Sequence, residues 1–417
     1  MSDVGSQWKE RVASVVDDLR HDLVGTSHAI HNEPELAFDE HRAAARLADA
    51  LSAVGYTVER SVGGLETAFR ATIEGGQPGP TIAILAEYDA LPGIGHGCGH
   101  NIIATSALGA GWALRRSDTP FAGRIQIIGT PAEEGGGGKI LLADAGVFEG
   151  VDAAIMMHPS TRYMVNRGSL ANSRVDITFH GKAAHAAGSP DKGINALDAV
   201  IQTFNGINAR RLHMRHDARV HGIITHGGDA VNIIPARASA VFSIRARRRA
   251  YQSQLVAMLR EVADGAAMLT GARLEWAERR GYDNMVPNPT IASLCGQNMQ
   301  ALGLEVIEPS PMERMGSTDM GDISQVMPAI HAYFAIGPDS ISGHSIEMTE
   351  ASCSAAGDQA VVDAAKSLAM TVVDLLSQPD LLDQARAEHQ EMLSAGRVAG
   401  WETWRENGKR FSGMGDS

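Results

Sequence analysis

A cysteine and a histidine stand two residues apart in His96-Gly97-Cys98-Gly99-His100, and the glycines permit backbone angles that other residues resist. A thiolate and an imidazole at that spacing can reach one metal ion or two adjacent ones. Further on, the doublet Glu133-Glu134 runs into four consecutive glycines. Hydrolysis by a metal-activated water requires one carboxylate to hold the metal. A second, not a ligand, takes the water's proton and passes it to the leaving amine. The doublet can supply both roles. His158 follows directly on the apolar run Asp152–Met157. Taken singly, these residues read as a buried structural cysteine, a solvated acidic pair and a core histidine. Taken together, they recur at the ends of apolar runs, and that recurrence points to a metal site. Gly135–Gly138 makes a poor phosphate cradle, since no Gly-Lys-Ser/Thr follows and two glutamates would repel phosphate.

The elements that must position these groups follow from the apolar pattern. Thr81–Ala86, Arg124–Gly129 and Asp152–Met157 read as strands, alternating with helices over Asn101–Arg116 and from Lys139. This alternation implies a parallel sheet with crossover helices, and open sheets of that kind bind ligands at the carboxyl ends of their strands. Upstream, Trp8 to about Gly55 reads as two helices joined at His31–Pro34. After about Leu170 the order becomes strand 174–180, helix 194–211, strands 218–226 and 236–247, helix 251–269 and strand 272–276. That β-α-β-β-α-β order is ferredoxin-like. The linker Tyr282–Pro289 then leads to a helix over 290–302, a strand over 329–336 and a helix over 354–376. The expected fold is therefore α/β, with a discontinuous catalytic domain (1–171 and 288–417, mostly parallel sheet) and an inserted ferredoxin-like domain (172–287). Polar loops carry His185, Asn232, the stretch Gly316–Asp322, and His344 within Gly343–Glu347. Beyond Pro379 lies a charged tail whose Trp401 and Trp404 are expected to dock on the body.

Composition narrows the class. Among 417 residues, 36 Lys and Arg against 49 Asp and Glu give a net charge of −13, which argues against nucleic-acid binding through clustered basic residues. Three cysteines cannot build a disulfide framework, so a reducing compartment is expected. The amino terminus lacks the apolar centre of a signal peptide, and the longest apolar run, Ile102–Leu114, is broken by Gly, Ser and Thr. The expectation is a cytoplasmic enzyme with no membrane segment.

Five stretches taken in order carry a resemblance: AEYDALPGIGHGCGHN (Ala86–Asn101), GTPAEEGGGGK (Gly129–Lys139), HGKAAHAA (His180–Ala187), NIIPA (Asn232–Ala236) and GSTDMGD (Gly316–Asp322). Together they resemble family twenty of the metallopeptidases. Within it the chain looks most like the amidohydrolase branch that holds the p-aminobenzoyl-glutamate hydrolases and the β-alanyl-lysine dipeptidases. The resemblance implies a di-metal domain with an inserted lid that mediates homodimerisation. By motif, Cys98, His100, Glu134, His158 and His344 would hold two divalent ions, Zn²⁺ or Mn²⁺. Glu133 would be the general acid/base, His185 would stabilise the oxyanion in its own or the partner subunit's site, and Asn232 would bind substrate. The chain departs from the wider family where the usual His-x-Asp reads Glu87-Tyr88-Asp89 and where Cys98 replaces a bridging Asp. Glu87 and Asp89 are accordingly expected behind the ligands.

The implied reaction is amide hydrolysis of a small N-acyl amino acid, an aminobenzoyl-glutamate-like conjugate or a dipeptide. One alternative releases ammonia from an activated nitroaromatic amine on the same metals. Another is a cysteine hydrolase with Cys98 as nucleophile and His96 or His100 as base. A third is a non-catalytic binding protein that keeps the fold. Loops carrying Arg162, Arg167, Asn232, Arg314 and Asp319 are the candidates to face a small-molecule substrate.

Overall fold

Ile82, Ala83, Ile84 and Leu85 are all buried, and a strand that is apolar on both faces belongs in a sheet covered by helices on each side. The structure, a computed structural model, describes residues 3–310, 312–401 and 403. It divides into two units, one running up to Gly168 and resuming at Met285, the other formed by Ser169–Asn284. The first unit begins with helices α1 (Asp3–Asp18), α2 (Arg20–Asn32) and α3 (His41–Ala53) and strands β1 (Thr57–Arg60), β2 (Phe69–Glu74) and β3 (Gln77–Ala86). It continues through α4 (His100–Arg116), β4 (Ala122–Gly129), α5 (Gly138–Asp144) and β5 (Ala153–Ser160). Three helices thus stand where two were expected. The break between α1 and α2 falls at Leu19, whose amide still bonds to the carbonyls of Val15 and Val16. The buried stripe Val12, Val16, Leu19, Leu23 runs straight through it, so the apolar periodicity carries no mark of the break.

The second unit comprises β6 (Ala171–His180), α6 (Ala196–Arg210), β7 (Arg219–His226), β8 (Arg237–Ala246), α7 (Arg249–Thr270) and β9 (Arg273–Arg280). Its sheet has the order β7-β8-β6-β9 and is antiparallel throughout. Both helices pack on the sheet and on each other, around Val175, Ile177, Phe179, Phe242 and Leu259. This is the ferredoxin-like arrangement that the order of elements implied.

The chain returns to the first unit as α8 (Pro289–Ala301), α9 (Met320–Val326), β10 (Ala329–Ala335), α10 (Ile346–Ala351), α11 (Ala355–Ser377) and α12 (Pro379–Ser394). The sheet order is β1-β2-β4-β3-β5-β10. Strands β4, β3, β5 and β10 are parallel neighbours, whereas β1 and β2 add an unforeseen antiparallel margin. Helix α4 is buried at every position from His100 to Leu114. Its small residues allow this: a Cβ on Gly109 would lie 2.9 Å from Ala365 of α11 and from Leu23 of α2.

Three local expectations are corrected. His158 lies inside β5 rather than past its end, because β10 stays paired with β5 through Ser160. The polar loops around Gly316–Asp322 and Gly343–Glu347 run into short helices at Met320 and Ile346. The segment beyond Pro379 folds as α12 and buries Leu382, Ala385 and His389. Trp401 is half-buried, and Trp404 lies outside the described residues. No helix among the described residues is long and apolar enough to cross a membrane.

Candidate metal centre

The loops after β3 and β4 leave the same end of the parallel strands and bring Glu87, Asp89, Cys98 and His100 to Glu133 and Glu134. His100 opens α4 behind Gly99, whose φ of +72° suits glycine. A Cβ on Gly99 would meet the Pro159 ring at 2.8 Å, so this glycine also lets the loop close against the end of β5.

Donor atoms of Cys98, His100 and His158 lie within 4.8 Å of one another. So do those of Cys98, Glu134 and His344, and those of His100, Glu133 and Glu134. The first two groups share Cys98, giving two three-donor positions with a common sulfur. All five candidate ligands named by motif are therefore assembled, and Glu133 stands beside them.

The proton positions follow from the partners. His100 Nδ1 donates to Asp89 Oδ1 at 2.9 Å, which turns Nε2 toward Glu87 Oε2 at 3.5 Å and Glu134 Oε1 at 3.9 Å. These three atoms, His100 Nε2, Glu87 Oε2 and Glu134 Oε1, are buried without a hydrogen-bond partner. Leaving such atoms unpaired is costly, and cations bound through His100 and Glu134 would satisfy two of them. His158 Nδ1 donates to the Pro159 carbonyl at 2.6 Å, so its Nε2 is likewise available. Burial pulls the His158 pKa down to about 4, which keeps the ring neutral as a ligand must be.

The electrostatics point the same way. Burial lowers the pKa of His100, but the carboxylates of Asp89, Glu87 and Glu134 outweigh it and raise the pKa well above the usual histidine value. The Cys98 thiol is pushed up by burial and then by Glu134. Glu133 is pushed up by burial and then by repulsion from Glu87, Asp319 and Glu134. The pocket holds an excess of negative charge that a divalent cation would neutralise.

Behind this group sits a residue that the local sequence pattern does not single out. Lys139, at the end of the glycine run, is fully buried; its Nζ donates to Glu87 Oε1 and, at 2.7 Å, to Asp319 Oδ1. Asp319, expected in a substrate-facing loop, is instead buried and committed to Lys139, whose backbone N–H it also accepts at 3.0 Å. The only sequence signal for Lys139 was its place in the motif GTPAEEGGGGK. His331 and Tyr333 were also missed; alternate positions on β10 bring both rings to within 5.8 Å of His158. Of the candidate arginines, Arg162 pairs with Glu313 at 2.5 Å, while Arg167 stacks 4.6 Å above the Tyr333 ring.

His185 and Asn232 belong to the second unit, where two exposed loops hold them together. A bridge joins His185 to Ile233, and the Ala186 amide donates to the Asn232 carbonyl at 3.0 Å. His185 Nδ1 accepts the amides of Ala187 and Gly188 at 3.2 and 3.0 Å. A neutral ring so held carries its proton on Nε2 and presents an outward N–H donor.

Residues 83–373 match the model of peptidase family M20/M25/M40. The chain is 39% identical over 398 residues to the Xaa-Arg dipeptidase of Mus musculus, covering 91% of each chain. It is 31% identical over 441 residues to a p-aminobenzoyl-glutamate hydrolase chain of Escherichia coli (strain K12), covering 87% of this chain and 91% of that one. Among solved structures, a dinuclear metal binding peptidase of the M20 family from Bacillus subtilis shares the fold with a TM-score of 0.72 at 22% identity, over 87% of this chain and 99% of the other. With the family model spanning most of the chain and relatives above 30% identity over nearly all of it, the chain belongs to peptidase family M20/M25/M40 and is a metal-dependent hydrolase of C–N bonds.

Proposed function

We propose that the protein hydrolyses the amide bond of a dipeptide or small N-acyl amino acid, with Glu133 as general acid/base. Two divalent ions, Zn²⁺ or Mn²⁺, would be held by Cys98, His100, Glu134, His158 and His344. The observation that carries this reading is the pair of three-donor groups sharing Cys98, set around buried atoms that lack hydrogen-bond partners. The shared thiolate favours Zn²⁺, and the imidazoles and carboxylate accept Mn²⁺ nearly as well. Bound ions of this kind supply Lewis acidity at the scissile carbonyl and acidify the attacking water. The remaining work falls to the chain. Glu133 takes the water's proton and returns it to the leaving amine. Asp89 fixes the His100 ring, and His185 donates its Nε2–H to the developing oxyanion, in its own or the partner subunit's site. Asn232 binds substrate beside it.

The relatives named a dipeptidase and an aminobenzoyl-glutamate hydrolase favour a small substrate with an amide bond. Homodimerisation through the second unit is part of the proposal. Its support is the edge strand β7, which among the described residues is unpaired on one side, with Ile223 at 67% and Ile224 at 45% exposure.

The test is Glu133→Gln, assayed on dipeptides, N-acyl amino acids and p-aminobenzoyl-glutamate with metal content measured in parallel. The variant should retain its metal and lose turnover; normal turnover would remove Glu133 from the role. A chelator should abolish wild-type activity reversibly, whereas a cysteine hydrolase would survive chelation and fail on alkylation.

A further inference from the structure

Glu40 is completely buried at the start of α3, and among the described residues no cation pairs with it. Burial, then repulsion by Asp89, pushes its pKa up to about 7, so the site accommodates this carboxyl group at a cost. Its side chain does not cap its own helix. Instead Oε1 accepts the Ala132 N–H at 2.8 Å, and Oε2 accepts the Thr67 hydroxyl at 2.8 Å.

Ala132 directly precedes Glu133 and holds φ at +59°, a left-handed conformation that L residues other than Asn and Asp rarely adopt. It is fully buried, and its carbonyl accepts the Gly136 amide at 3.0 Å, closing the glycine turn that carries Glu133 and Glu134. Such a backbone persists only where the surroundings over-determine it. The Thr67 carbonyl, in turn, accepts the Tyr88 hydroxyl at 2.6 Å, and Tyr88 lies between Glu87 and Asp89. One carboxylate therefore connects the turn bearing the glutamate doublet with the segment bearing Asp89.

We propose that Glu40 is a positioning residue for hydrolysis: by holding the Ala132 N–H it sets the left-handed turn that aims Glu133 at the attacking water. The proposal rests on the reading of Glu133 as the general base.

A double-mutant cycle tests it. Glu40→Met removes the acceptor, and Ala132→Gly makes the left-handed conformation cost-free. Glu40→Met should lower kcat at least tenfold with KM within about twofold and metal content unchanged. Glu40→Gln should restore kcat to within about threefold, because its carbonyl oxygen still accepts the Ala132 N–H while its amide donates to Thr67. In the Glu40→Met/Ala132→Gly double variant most of the loss should be recovered. Unchanged kcat in Glu40→Met, or losses that simply multiply in the double variant, overturns the proposal. If Glu40→Met does not fold, Glu40→Asp, one methylene too short to reach Ala132, must show the same kcat-selective loss. Glu133→Gln runs alongside: an inactive Glu133→Gln with a multiplicative cycle sinks only the Glu40 assignment. An active Glu133→Gln sinks the general-base reading itself.

Discussion

Asp89 joins His100 to Glu134: one carboxylate oxygen accepts the His100 Nδ1–H and the other accepts the Glu134 backbone N–H, both at 2.9 Å. A single buried side chain thus sets the ring orientation of one proposed ligand and the backbone position of another. Burial alone would raise the Asp89 pKa, but His100, the Glu134 amide and Lys139 together outweigh it and hold the carboxyl below its usual value. Partners of this kind commonly contribute a factor of about 10 to 100 in metal affinity. Asp89→Asn replaces one acceptor by a donor and should weaken metal binding by about that factor, as read by competition with a chromogenic chelator. Unchanged affinity would separate Asp89 from the metal site.

Lys139 lies between two buried carboxylates. Burial lowers its pKa, but Asp319 and Glu87 more than reverse this, so the ammonium stays charged. Removing one partner from a buried ion group leaves uncompensated charge and typically costs about 3–5 kcal/mol. Lys139→Met should therefore lower the urea midpoint by a corresponding amount, and Asp319→Asn in the same chain should recover part of it. A Lys139→Met midpoint equal to wild type would show that the group contributes nothing to folding.

What could be read in advance was what local pattern records. The apolar run at Ile82–Leu85 and the isoleucine-rich stretch Ile125–Ile128 marked strands, and polar residues after such stretches had to fall at one sheet edge. That placed Cys98, His100, Glu133 and Glu134 together. What escaped was written in partnerships between distant positions: Lys139 meets Asp319 across 180 residues, and Ala132 meets Glu40 across 92. A buried Lys or Glu looks in sequence like a surface one, since only the partner distinguishes them. Helices as short as α9 and α10, with seven and six residues, fall below the length at which helical periodicity can be seen. The alternation Phe69-Arg70-Ala71-Thr72-Ile73-Glu74 did carry a strand signal for β2.

His185 is held by two backbone amides through Nδ1, so its Nε2–H is a preset donor. If that donor meets the oxyanion, its loss should lower kcat by about 10²–10³, as for other oxyanion donors. His185→Ala should do so with little change in thermal stability, because the side chain lies on an exposed loop. Metal content should match wild type. An unaltered kcat would assign His185 to the surface alone.

His389 offers a pH-dependent test of the carboxyl-terminal helix. It is buried on α12, and its Nε2 meets the Ser324 carbonyl at 3.3 Å. Burial lowers its pKa below the ordinary 6.5, with the hydrogen bond opposing in part. The sign follows from which state binds protons first. As pH falls below about 6.5 the unfolded chain takes up this proton before the folded one, so stability decreases. One such group contributes a slope of at most about 1.4 kcal/mol per pH unit, confined to the window between the folded and unfolded pKa values. His389→Gln keeps a donor for Ser324 without the titration. The fall in urea midpoint between about pH 7.5 and pH 5.5 should therefore be smaller in the variant than in wild type. Equal falls would mean that α12 opens to solvent before the native state titrates, and that its docking on Ser324 is not part of the cooperative fold.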